Sequence, residues 1–297
     1  MADRPLTGQL ARAQTEYVVR PIRNPEEIRA MLSPHRAYAA YALGQLQPGL
    51  FERTEWHVSR GAAGEALLLH SRGGLGNALF AFGADEALEA ALQIHAGSRH
   101  TFLSCQPHHQ ETILRHFSLP EAASMVRLQV DRDRFQPVAG EVRRLAGSEA
   151  FRINSLYRSD GTPAFYTADN IDQAVYYGAF EEGRMVAVAG THVISAVDEI
   201  GVVGNVFTHP AHRGRGLGRL VTSAVTKDVL KSCREVVLSV DPANLAALRA
   251  YEVLGYKEVT RLIEGPAVRR ESGAGAFMRR RWAAIRGRRY GGELVSV

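Results

Sequence analysis

The sequence predicts an α/β protein, in the α+β sense, made of two tandem lobes, each a mixed, mostly antiparallel sheet flanked by helices. Three observations predict it. Short apolar and β-branched runs alternate with amphipathic stretches along the chain. A charged segment, Asp131–Gly147, contains Pro137 and Gly140 and divides a chain of 297 residues, a comfortable length for two domains. A strand, a glycine-dense loop and a helix follow one another in the second half, and the first half has no counterpart.

In the first lobe, residues 1–140, a polar leader precedes a strand over Tyr17–Ile22. Pro25–Leu32 and Tyr38–Leu46 read as helices. Trp56–Ser59, Ala66–His70 and Ala78–Phe82 read as three consecutive strands, with Arg72–Asn77 as a hairpin turn. Asp85–Ile94 is amphipathic and helical, Thr101–Ser104 a short strand, His109–Phe117 a helix and Ser124–Val130 a closing strand. His108-His109 invites a metal reading, but adjacent helical histidines point apart and no acidic residue nearby completes a set, so no metal is expected.

The second lobe spans residues 148–285 and leaves a basic tail at 286–297. Phe151–Tyr157 reads as a helix, and Gly161-Thr-Pro163 breaks it. Asp169–Tyr177 reads as a loop or short helix. Tyr176–Phe180, Arg184–Ile194 and Gly201–Thr208 then form a meander. From Leu217 the apolar residues Leu220, Val221, Ala224, Val225 and Val229 recur at helical spacing. Val236–Val240 is a strand, followed by a helix with Asp241 as N-cap, Pro242 in its first turn and Gly255 as its stop. Lys257–Glu264 is a strand, Pro266–Gly275 a loop and Ala276–Arg281 the last strand.

Composition excludes several classes. Hydrophobic content of 45% and charged content of 23% are ordinary for a soluble protein, and no apolar run is long enough to span a bilayer. No apolar signal segment is visible, and Cys105 and Cys233 stand far apart, so a cytoplasmic location is expected, with no disulfide framework and no membrane partner. The net charge of +5 is local: from Arg261 onward there are nine Arg and three Glu, which leaves about −1 for the rest. Nucleic acid is therefore not an expected partner, although an RNA-binding role for the Arg279–Arg289 segment would announce itself by steep salt dependence. A homodimer stays open.

The candidate site lies in Gly204–Arg219, GNVFTHPAHRGRGLGR. A helix N-terminus leaves backbone N–H groups unpaired and its dipole favours an anion. Gly214, Gly216 and Gly218 let the backbone approach a diphosphate, and Arg213, Arg215 and Arg219 add charge. The spacing fits neither a dinucleotide fingerprint nor a P-loop. Arg213-x-x-Gly216-x-Gly218 resembles the acyl-CoA pyrophosphate loop of the GCN5-related N-acetyltransferase (GNAT) family. Downstream, Asn244-x-x-Ala247-x-x-x-Tyr251-x-x-x-Gly255-Tyr256 resembles the second half of the same site, with Asn244, Ala247 and Tyr251 on one helix face. A degenerate first lobe before an active one is similar to the glycine N-acyltransferase-like branch of that superfamily.

The resemblance implies an acetyl-CoA-dependent N-acyltransferase acting on a small-molecule or peptide amine by direct attack in a ternary complex. It implies that Val206, Phe207 and Thr208 lie beside the pantetheine arm. Arg213, Gly214, Arg215, Gly216, Leu217, Gly218 and Arg219 would hold the diphosphate, Asn244 would bond the arm, and Tyr251 would be the general acid. The base carboxylate of some family members falls on Ser239, which leaves Glu199, Asp198, His192 and His209 as candidates. Acceptor selection is expected from Leu156–Tyr177 and Pro266–Gly275, where Tyr157, Tyr166, Tyr176 and Tyr177 either wall a pocket or pack. The alternative from another class is a CoA-binding regulatory or scaffold protein without turnover.

Overall fold

The computed structural model describes residues 15–73, 76–271 and 273–297; the polar leader and part of the Arg72–Asn77 turn lie outside them. The first half runs β1 (Glu16–Pro21), α1 (Pro25–Leu32), α2 (Arg36–Gly44), β2 (Thr54–Gly61), β3 (Gly64–Gly73), β4 (Gly76–Gly83), α3 (Asp85–His95), β5 (His100–Cys105), α4 (Gln110–His116), β6 (Phe117–Ser118) and β7 (Ala123–Asp131). The second half runs β8 (Arg143–Arg144), α5 (Ala150–Tyr157), α6 (Ala168–Asp172), β9 (Tyr176–Glu181), β10 (Arg184–Ser195), β11 (Ile200–Thr208), α7 (Leu217–Val229), β12 (Glu235–Val240), α8 (Leu245–Val253), β13 (Lys257–Arg269), α9 (Gly273–Gly287) and β14 (Glu293–Ser296).

Local chemistry explains the well-placed starts. Asn24 accepts the Glu26 amide at 3.0 Å, Pro25 opens α1, and Glu26 and Glu27 sit in the turn that the helix dipole favours for acids. Along α7, Val221, Val225 and Val229 recur every fourth residue and bury against the sheet.

The strands form a single sheet in the order β14-β1-β2-β3-β4-β5-β13-β7-β12-β11-β10-β9-β8, with β6 added beside β13. Pairing is antiparallel except at β4–β5 and β11–β12. The order is not that of two separate lobes. β13, from the second half, pairs with β5 of the first, and β7, from the first half, pairs with β12 of the second. Each half thus closes its sheet with a strand of the other.

This exchange corrects the expected end of the chain. Residues 276–281 are not a strand but part of α9, which buries Ala276, Ala283 and Gly287; the sheet position awaiting a final strand is filled by β7. β13 also runs on through Pro266, where a loop was expected. Pro266 lies past Glu264, the last residue paired to β7, so one flank of the strand there has no ladder to satisfy. Residues 293–296 are β14, hydrogen-bonded along β1, so the expected tail is a sheet strand over that stretch.

The first-half helices seal the two halves together. Leu32, Tyr38 and Leu43 share one core with Val193, Val202, Val237 and Leu262. Burying each such side chain is worth about 1.5–3 kcal/mol. At the edge of this core Arg29 Nε meets Asp198 Oδ1 at 2.7 Å and Arg36 Nε meets Glu235 Oε1 at 2.6 Å.

Candidate active site

The parallel pair β11–β12 holds together for three residue pairs, Ile200–Glu235, Gly201–Val236 and Val202–Val237, and then parts. Glu199 explains the closed end. It sits in a turn at φ 50°, and its carbonyl accepts the amides of Arg234 and Glu235 at 2.9 and 3.2 Å. Glu199 is therefore at the opposite end of the strand from the opening, which removes it as a candidate base. Asp198 is engaged with Arg29 and with the Ser195 hydroxyl at 2.7 Å. His209 caps the turn over Pro210–His212 by accepting the Ala211 amide at 3.2 Å.

Where the strands part, a cavity of about 570 Å³ opens. Its walls include Val203–Val206 of β11, Leu238–Val240 of β12 and Asn244, Ala247 and Tyr251 of α8. It continues across β7 and β13 to the paired stretch of β4 and β5, where Phe80, Phe102 and Ser104 line it, and Tyr41 of α2 covers it. β11 is deformed along this wall. Asn205 takes φ 54°, an uncommon conformation in which Asn is enriched, and its side-chain amide donates to the Tyr176 hydroxyl at 2.8 Å. The register with β10 shifts across the same stretch.

A second bulge aims His192. Thr191 and Val193 pair with the consecutive residues Val203 and Val202, so His192 is the extra residue and turns its ring into the cavity. The residue is accessible from the cavity it faces, yet protein surrounds that cavity. The resulting desolvation pushes the imidazole below its ordinary range; Glu264 opposes the shift and Arg127 adds to it. At neutral pH the ring is uncharged and able to accept a proton.

Tyr251 is 7% exposed, and burial alone pushes its phenol up to about 12. Its proton is retained through the physiological range. Asn244 is the actual N-cap of α8, accepting the Ala247 amide at 3.1 Å, while Asp241 accepts the Ala243 amide just upstream at 2.8 Å. The helix therefore starts three residues later than the Asp-Pro pair suggested. Asn244, Ala247 and Tyr251 do share one face, and that face is the cavity wall.

The glycine loop stands beyond the open end. Gly214 and Gly216 take φ 78° and 80°, and Gly216 is the N-cap of α7 with no side chain closing the first turn. A Cβ at Gly218 would lie 3.3 Å from Thr208 Oγ1 and 3.9 Å from Val206, so the helix start sits close against the end of β11. Arg213 pairs with Asp160 at 2.7 Å and Arg215 with Glu181 at 2.8 Å, both at the exposed surface where such pairs are weak. Arg219 Nε is buried without a partner among the described residues. The donors, the open N-terminus and the absence of Cβ atoms fit a diphosphate.

The tyrosines at 157, 166 and 176 form a packed cluster, with Tyr157 stacked on Phe207 at 4.6 Å, and Tyr177 reaches Asp228 at 3.4 Å. None of them lines the cavity. Asp85, absent from the sequence reading of His108-His109, comes within 4.8 Å of both in space. Yet His109 already contacts the Gly83 carbonyl through Nε2 at 2.8 Å and accepts the Gln106 amide through Nδ1 at 3.3 Å.

The cavity residues that sequence reasoning missed are Arg127, Glu264 and Ser104. They arrive on β7, β13 and β5, and no local spacing announces them because the strand exchange is what brings them together.

Residues 176–263, from β9 into β13, match the family model described as FR47-like protein. A GCN5-related N-acetyltransferase from Kribbella flavida has the same fold, with a TM-score of 0.57 at 18% identity over 80% of this chain and 96% of that one. A tandem GNAT protein from the clavulanic acid biosynthesis pathway aligns with a TM-score of 0.52 at 15% identity over 86% of this chain and 99% of that one. The chain has the GNAT fold, and its second half is similar to the FR47-like family. Among curated proteins, this chain is 30% identical over 150 residues to the mycothiol acetyltransferase of Thermobispora bispora. That match covers 48% of this chain and 49% of the relative, about half the length of each.

Proposed function

We propose that the protein is an acetyl-CoA-dependent N-acetyltransferase that acetylates a primary amine by direct attack within a ternary complex. The observation that carries this reading is the split between β11 and β12, with the uncapped, glycine-bounded start of α7 at its mouth and Tyr251 within it. The amides of α7 and the loop receive the diphosphate, and the unpaired flank of Val206–Thr208 receives the pantetheine arm. His192 accepts a proton from the attacking amine. As the new C–N bond forms and the C–S bond breaks, Tyr251 supplies the proton that the leaving thiolate takes up. Ser239 has no carboxylate to offer, so the base role passes to the bulged histidine two strands further on.

An acyl-enzyme route is disfavoured by the thiols. Burial pushes Cys105 up to about 12 and raises Cys233 above its ordinary range, and neither lines the cavity.

The test is release of free CoA from acetyl-CoA with a panel of primary amines, read with wild type and Tyr251→Phe. Acceptor-dependent release that falls in the variant is the expected result. CoA binding with no release for any acceptor would favour the non-catalytic CoA-binding alternative.

A further inference from the structure

Arg127 is 2% exposed, yet its guanidinium is poorly satisfied. Nη2 reaches Glu264 Oε1 at 3.4 Å, the Ser104 hydroxyl donates to the same oxygen at 3.4 Å, and Nε is buried with no partner among the described residues. A guanidinium has five N–H donors, and a stabilising carboxylate pair would be bidentate at about 2.7–2.9 Å. A buried pair this loose is no more stable than an apolar replacement. Its placement gives it a purpose. Arg127 stands directly opposite Ser239 in the β7–β12 register, and both line the cavity. Cross-strand neighbours are roughly 4.5–5.5 Å apart at Cβ. A carboxylate at position 239 would have paired with Arg127, whereas serine leaves its donors and the adjoining space open.

We infer that the acceptor is a small amine that carries a carboxylate, held by Arg127 through the carboxylate with its amine toward Glu264 and His192. This rests on the acceptor occupying the cavity described under Proposed function. Among the described residues lining the cavity, Arg127 is the one cation and Glu264 and Asp241 are the carboxylates, beside the neutral His192 imidazole; Asp241 accepts the Ala243 amide just upstream of α8, so Arg127 and Glu264 are the pair that complements a zwitterion in sign. Tyr41, Phe80 and Phe102 supply an apolar wall beside them, so a hydrocarbon side chain on the acceptor is accommodated.

The experiment is calorimetric titration of the full chain, saturated with CoA, with glycine, alanine and phenylalanine. Each is compared with its primary amide and its decarboxylated amine. The free acids should bind about ten- to a hundredfold more tightly than the amides, the range of one charge-assisted contact. Ser239→Glu, which supplies Arg127 with an internal carboxylate, and Arg127→Met should both erase that preference while CoA affinity stays unchanged. A panel in which no free acid binds better than its amide overturns the inference. CoA release from amines without such a preference would leave the acetyltransferase reading standing and sink this one; preferential acid binding without any release would do the reverse.

Discussion

The ring of His192 lies over the backbone of Gly204 on the neighbouring strand: a Cβ built on Gly204 would sit 2.0 Å from His192 Nε2. That contact fixes where the bulged histidine points. Gly204→Ala should therefore displace the ring and lower kcat by about ten- to a hundredfold, with CoA affinity retained because the loop is untouched. Turnover equal to wild type, together with an unchanged pH profile, would show that the ring's position is immaterial.

The pH profile itself tests the base. The folded-state imidazole lies below its ordinary value, so the ring is deprotonated as pH rises through a midpoint under about 6.5. For an acceptor whose amine is uncharged throughout, kcat should rise on the acid side and stay level from about pH 7 to about pH 10, since the Tyr251 phenol titrates at about 12. His192→Gln should remove the acid limb. An acid limb that survives this change assigns the base to another group.

Tyr251→Phe keeps the ring and its packing but removes the proton. A fall in kcat of about 10²–10³ with unchanged acetyl-CoA binding is expected, and an acyl donor with a more acidic thiol should recover part of the loss. A kcat within about twofold of wild type, with chemistry limiting, would reduce Tyr251 to a core aromatic.

Gly216→Val forces a branched side chain into φ 80° at the first amides of α7. The surroundings are open, since the nearest neighbour of a Cβ placed there would be Arg219 Nη2 at 3.5 Å. Stability should therefore fall by the backbone strain alone, about 1–2 kcal/mol. CoA binding should fall by more than about tenfold in calorimetry. Unchanged affinity would dismiss the diphosphate assignment. Wild type should bind one CoA per chain, because α3, which follows β4 of the parallel pair β4–β5 as α7 follows β11 of the pair β11–β12, opens on Asp85 and Glu86, which repel a diphosphate where α7 offers glycines.

Stability should fall on mild acidification. His57 is stacked on His95 at 3.6 Å with a buried, unpartnered Nδ1, and burial with neighbouring positive groups depresses it to about 2; burial depresses His70 to about 4. Both are bound neutral in the fold and titrate near 6.5 when unfolded, so protons bind the unfolded chain first. The stability they contribute is complete above about pH 6.5 and is lost as pH falls toward their folded values, by up to about 1.4 kcal/mol per pH unit for each. Urea midpoints between about pH 7 and about pH 5 should show this slope, and His57→Phe should flatten it. An unaltered slope in that variant would place the acid sensitivity elsewhere.

Much of this was legible in sequence because it is local. The loop at Arg213–Arg219, the α7 valines and the shared face of Asn244, Ala247 and Tyr251 are spacing features, and spacing survives folding. Capping chemistry was legible in kind but not in place: Asp241-Pro242 carries a start signal, yet Asn244 three residues on is what caps α8. The exchange of β7 and β13 was not legible. A strand's alternation says which face is buried and nothing about which neighbour it will find. Every residue that depends on this exchange, Arg127 and Glu264 above all, was therefore invisible as part of the site. Residues 276–281, expected as the last strand, are helical in α9 for the same reason: the strand that completes the sheet there is β7, from the other half of the chain.

The exchanged strands also set a schedule for biosynthesis. β7 is complete at Asp131, but its two partners end at Val240 and Arg269. At translation speeds of about 5–20 residues per second, both backbone edges of β7 wait on the order of ten seconds for their hydrogen-bonding partners. Throughout that interval the nascent chain carries an unpaired apolar ribbon, Met125-Val-Arg-Leu-Gln-Val130, the kind of segment that recruits wrong partners. Recovery of this protein from cells should therefore respond to chaperone supply and to slowed translation far more than the finished sheet, in which β7 is paired on both edges, would lead one to expect.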